Sequence, residues 1–150
     1  MNKMEVAALK EKLFKTIEAL EPEMIATLSD LIAIPAISPL DGGQGEFHKG
    51  EYLVKKLEEL GFAKAEVYNS PDPMAAGGVR PNIITRIPGK TSKRLWIVAH
   101  IDVVPEGERR LWHTDPFKAV VKDGRIYGRG SNDNCQELVS SLYAAVALKK

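Results

Sequence analysis

Residues 95–105 read LWIVAHIDVVP, an apolar run that closes on a histidine and an aspartate two positions apart. A run without polar alternation is the pattern of a strand covered on both faces, so 95–99 is the predicted central strand and the fold class is α/β. Side chains alternate along a strand, which puts His100 and Asp102 on one side and turns Ile101 away. Ligands in open α/β sheets gather at the carboxyl ends of strands, the edge where this pair stands. A histidine beside a carboxylate suits metal ligation with the carboxylate orienting the ring, general-base work, or a purely structural pairing. H-x-D alone does not choose among them.

Outward from this strand, apolar residues recur at helical spacing from Met4 to about Ala33. The spacing predicts one long helix or two consecutive ones with the seam at Pro22. IPAISPLDGGQGE, at 34–46, is a connection rich in proline and glycine, and its DGGQG is read as flexible chain rather than a phosphate loop. A second helix is predicted in 46–62, with Leu53, Leu57 and Leu60 on one face and Gly61 as its C-terminal cap. KAEVYNS (64–70) and PNIITRIPG (81–89) read as short strands. AVVKDGRIY (119–127) reads as a hairpin about Asp123-Gly124, the dipeptide of a type I′ turn. A last helix runs from about Asn132 to the end. Helices, then strands, then a helix imply a layered α/β/α domain with a mixed sheet, with Trp96 and Tyr127 buried in or beside it.

YGRGSNDNCQE (127–137) forms the second cluster of interest. Asp133 followed by Gln136 fits a capping box. A carboxylate on a glycine-flanked turn can equally bridge two metal ions about 3.5–4 Å apart, with Gly128 and Gly130 letting backbone approach closely beneath it. Arg129 fits a structural ion pair or a substrate carboxylate. His48 and His113 fit ordinary surface positions. Cys135, in a first helical turn, could carry a lowered pKa, but no nucleophile motif surrounds it.

The 150 residues carry a net charge of +1 with acidic and basic residues interleaved. That balance leaves no electrostatic footprint for nucleic acid or an anionic membrane. A single cysteine rules out an internal disulfide and fits a reducing compartment, and the charged N-terminus has neither a signal-peptide core nor a membrane span. The chain is expected to be cytoplasmic.

Taken together, HIDVVP, WHTDPF and DGRIYGRGSND, in that order and spacing, resemble the two-zinc aminoacylase and exopeptidase family of acetylornithine deacetylase, succinyl-diaminopimelate desuccinylase and carboxypeptidase G. The likeness extends to LIAIPAIS, EYLVKKLEELGF and PNIITRIPG. It implies a zinc-exopeptidase-like fold and a hydrolase of amide bonds in small N-acyl amino acids or short peptides. By the resemblance His100 is a zinc ligand, Asp102 the catalytic aspartate that orients it, and Asp133 the carboxylate shared by two zinc ions, with cobalt or manganese as possible substitutes. It also implies a cis peptide at Asp133-Asn134, and packing roles for Trp112, Pro116 and Phe117. Cys135 and Gln136 replace the lysine and glycine of many members, which leaves the substrate subgroup open.

The family's paired glutamates, its further acidic ligand, its distant histidine and its lid domain, with the dimer contact the lid carries, have no counterpart within 1–150. Residues 1–150 are therefore expected to be an N-terminal, apparently truncated part of a catalytic domain, inactive in isolation. The other reading is a complete, non-catalytic binding or assembly module that keeps the fold.

Overall fold

The structure, a computed structural model, describes residues 2–149. Helix α1 spans Lys3–Ala33 and opens on a reciprocal cap: Glu5 N–H donates to the Asn2 side chain, and the Glu5 carboxylate accepts from Asn2 N–H. The two alternatives for this segment resolve as one unbroken helix through Pro22. Glu18 and Pro22 are both exposed, so water can take up the backbone bond that proline forfeits.

Only the second half of α1 is buried, through Leu20, Thr27, Leu28, Leu31 and Ile32. That face meets α3, Cys135–Lys149, whose buried residues include Val139, Leu142, Tyr143 and Val146. Between the two helices the Thr27 and Tyr143 hydroxyls lie 2.8 Å apart, and Tyr143 also donates to the Glu23 carbonyl at 3.3 Å. This satisfies the polar groups such an interface would otherwise strand.

Helix α2, Phe47–Glu59, ends as its sequence predicts. Gly61 has φ +71°, its N–H donates to Glu58 O, and Phe62 N–H donates to Leu57 O, the paired bonds of a Schellman cap. Lys149 of α3 closes the same end, donating to the carbonyls of Leu60 and Gly61 with its ammonium 4.4 Å from the centre of the Phe62 ring. At the other end Arg80 grips the buried Glu46 with two hydrogen bonds.

Strands β1 (Glu66–Pro71) and β2 (Val79–Ile84) form an antiparallel pair in the register Glu66 to Ile84. Strands β3 (Val120–Lys122) and β4 (Arg125–Tyr127) form the hairpin, with positive φ at both Asp123 and Gly124 as a type I′ turn requires. A single parallel bridge, Ile37 to Val103, adds the third pairing. The α/β class holds; among the described residues the laddered strands form two separate antiparallel pairs, and the parallel pairing is the isolated Ile37–Val103 bridge.

One expectation is corrected. Residues 95–99 form no regular secondary structure and pair with no strand among the described residues. Without ladder partners or covering helices their side chains stay in solvent: Leu95 is 87% exposed and Trp96 62%. Tyr127, at 42%, is not buried either. Among the described residues no helix is long and apolar enough to cross a membrane.

This division of α1 is testable by urea unfolding. Leu31 is fully buried against α3 and Leu9 lies on the exposed half. Leu31→Ala is expected to cost about 3 kcal/mol, and Leu9→Ala less than about 0.5 kcal/mol.

Candidate metal centre

The chain after residue 99 is anchored by Val103, which is buried and whose N–H donates to Ala36 O at 3.0 Å, just beyond the end of α1. Ile101 turns toward the hydrophobic core, and His100 and Asp102 face away from it together, as strand alternation predicts. His100 Nδ1 lies 3.1 Å from Asp102 Oδ1 and 3.2 Å from the Asp102 carbonyl.

Asp133 arrives from the turn that leads into α3. Arg129 N–H donates to Pro116 O at 2.6 Å, Ser131 N–H to Gly128 O, and Cys135 N–H to Gly130 O. Gly130, at φ +83°, sits where a Cβ would stand 2.7 Å from Val103 Cγ1, and a Cβ on Gly128 would stand 2.7 Å from Ile32 Cγ2. The turn can therefore lie directly on Val103, next to Asp102, and on Ile32 of α1. The Asp133-Asn134 peptide is cis.

The result is convergence of the three predicted residues: His100 Nε2 is 2.9 Å from Asp133 Oδ1, with Asp102 behind the ring. The capping alternative for Asp133 is not adopted, since among the described residues no helix amide donates to its side chain. Burial pulls the His100 pKa down, but the hydrogen bond to Asp133 and the charge of Asp102 outweigh it, and the net shift is upward. Each ring nitrogen thus has a carboxylate oxygen within hydrogen-bond distance.

These residues fit a divalent metal in kind. One imidazole has its far nitrogen held by a carboxylate, the arrangement that orients metal-binding histidines, and Asp133 is an 84% exposed carboxylate whose second oxygen accepts nothing from the described residues. In number the set is short, because stable zinc sites offer three or four protein ligands and no group of three or more suitable side chains occurs among the described residues.

The neighbouring candidates separate clearly. His48 is exposed beside Glu51, and His113 is exposed. Cys135 is fully buried, and burial raises its thiol pKa despite the nearby Lys49, against the lowered value its helix position suggested. Arg129 has no carboxylate partner among the described residues; its guanidinium stacks 5.3 Å from the centre of the Trp112 ring and donates to Glu106 O. Pro116 is buried and Trp112 half-buried, in line with packing roles. Lys49, which sequence reading passed over, is 1% exposed and 4.0 Å from Cys135 Sγ. Its signal was available: it stands four residues before Leu53 and eight before Leu57, a charge in the apolar stripe of α2.

Comparison with known proteins agrees with the resemblance read from the motifs. Residues 96–150 match the model of Peptidase family M20/M25/M40. A metallohydrolase of Methanocaldococcus jannaschii is 45% identical over 126 residues, covering 80% of this chain and 30% of the relative. Succinyl-diaminopimelate desuccinylase of Legionella pneumophila is 36% identical over 118 residues, covering 79% and 28%. A di-peptidase from Saccharomyces cerevisiae superposes with a TM-score of 0.77 at 26% identity, over 93% of this chain and 31% of that one. The chain thus spans under a third of the length of each of these relatives.

The close seat of the Asp133 turn on Val103 can be checked directly. Gly130→Ala places a methyl group in a left-handed residue and against Val103. It is expected to cost more than about 1 kcal/mol in chemical denaturation, and to shift the amide resonances of 102–104 as well as those of the turn.

Proposed function

We propose that this chain, whose residues 96–150 match the model of Peptidase family M20/M25/M40, is the N-terminal catalytic part of a metal-dependent hydrolase of amide bonds in small N-acyl amino acids or short peptides. The observation that carries the proposal is the 2.9 Å approach of His100 Nε2 to Asp133 Oδ1 with Asp102 at the other ring nitrogen. The similarity to a desuccinylase and to a di-peptidase supports the substrate class.

In this reading His100 and Asp133 hold the metal, zinc by the family resemblance, with cobalt or manganese as alternatives, since one imidazole and one carboxylate do not separate the three. When bound, the metal would supply Lewis acidity toward the scissile carbonyl and acidify a water for attack on it. Asp102 keeps the proton of His100 on Nδ1, so that Nε2 presents its lone pair to the site. Asp133, exposed at the head of α3, would offer its carboxylate to the metal site. Val103 and the glycine turn fix the spacing of the two donors before any ion arrives.

A general base to take the water's proton, and further ligands, would have to come from outside these residues. The isolated 150-residue chain should accordingly turn over no substrate.

The test is a screen of the complete polypeptide against N-succinyl and N-acetyl amino acids and dipeptides with zinc, cobalt or manganese supplied. Hydrolysis is expected, His100→Ala should abolish it, and Asp102→Asn should lower activity or metal affinity by about 10 to 100-fold. Full turnover by the His100→Ala protein would contradict the assignment.

A further inference from the structure

Lys49 raises a question that the site above does not answer. It occupies a position in α2 where Leu53 and Leu57 continue the same buried stripe, and it is 1% exposed. Its ammonium has one contact among the described residues, Cys135 Sγ at 4.0 Å, and no carboxylate within salt-bridge distance. The nearby Glu46 is already committed to Arg80.

A buried ammonium with so weak a partner costs stability, and an apolar side chain of similar shape would pack as well or better. Packing therefore does not account for it. What surrounds it does. Cys135, on α3, lies two residues beyond Asp133; burial lowers the Lys49 pKa, and the charges of Cys135, Asp102 and Glu46 oppose that shift. Through Cys135 the Lys49 ammonium is thus joined to the turn that carries Asp133, and among the described residues it makes no contact with His100, Asp102 or Asp133.

We propose that Lys49 is a built-in counter-charge for the metal centre. Its ammonium offsets the two carboxylates while no cation is bound, and by repulsion it lowers the affinity of the centre for a divalent ion. Lys49 is a positioning residue, not a catalytic one, and the inference rests on the reading that His100 and Asp133 bind metal.

The experiment titrates cobalt(II) alone into the complete polypeptide, in competition with a chromophoric chelator, for the wild type, Lys49→Met, Lys49→Arg and His100→Ala, with a thermal melt of each. Lys49→Met should melt no lower than wild type and bind cobalt about tenfold tighter. Lys49→Arg, which keeps the charge, should bind as wild type does, and His100→Ala should lose binding. Lys49→Met that binds no tighter, or that melts well below wild type, would overturn the counter-charge while loss of binding in His100→Ala leaves the metal reading standing. Unchanged binding by His100→Ala, or no binding by any variant, would overturn the metal reading and this proposal with it.

Discussion

The contact between His100 Nε2 and Asp133 Oδ1 joins two parts of the chain separated by 33 residues, and the arrangement around it exists to hold that distance. Neither side chain is buried, so packing does not fix them. Each is fixed through its backbone: His100 by the seating of Ile101 and Val103, Asp133 by a turn whose glycines lie against Val103 and Ile32. Ile32 and the Ala36 carbonyl belong to the end of α1 and the residues just after it. The close of the first helix is thus the common reference for both donors.

This explains how the chain divides its stability. The second half of α1, α3 and α2 contribute to one core, and Ile101, between His100 and Asp102, packs against it. Lys149 and the pair Glu46–Arg80 tie the two ends of α2 to α3 and β2. The first half of α1 and residues 95–99 contribute little to this body, since their apolar side chains are largely in solvent. A site whose donors depend on α1, α3 and one bridge at Val103 does not need those outlying segments to keep its geometry.

Much of this was legible in the residues, and where it was not the reason is physical. Local chemistry announced itself: Gly61 as a cap, Asp123-Gly124 as a type I′ turn, and the alternation that sets His100 and Asp102 on one side. The meeting of His100 with Asp133 was legible only through the whole ordered set of motifs, because H-x-D and a capping-like Asp133 each have ordinary structural explanations. The strand at 95–99 was misread because an apolar run records a demand for burial, whereas a ladder needs partners that no single segment specifies. Trp96 and Tyr127 followed the same error. Cys135 was read from its helix position, but desolvation in the core outweighs that position and sends its pKa the other way. Lys49 was overlooked because lysine is ordinarily a surface residue, although its place in the stripe of Leu53 and Leu57 marked it.

The most direct measurement is a crystal structure of the complete polypeptide grown with zinc, with anomalous scattering recorded at the zinc edge. The account predicts an ion bound by His100 Nε2 and by the Asp133 carboxylate, with Asp102 still hydrogen-bonded to Nδ1. A zinc peak remote from these residues, with His100 and Asp133 still bonded directly to each other at saturating metal, would contradict it.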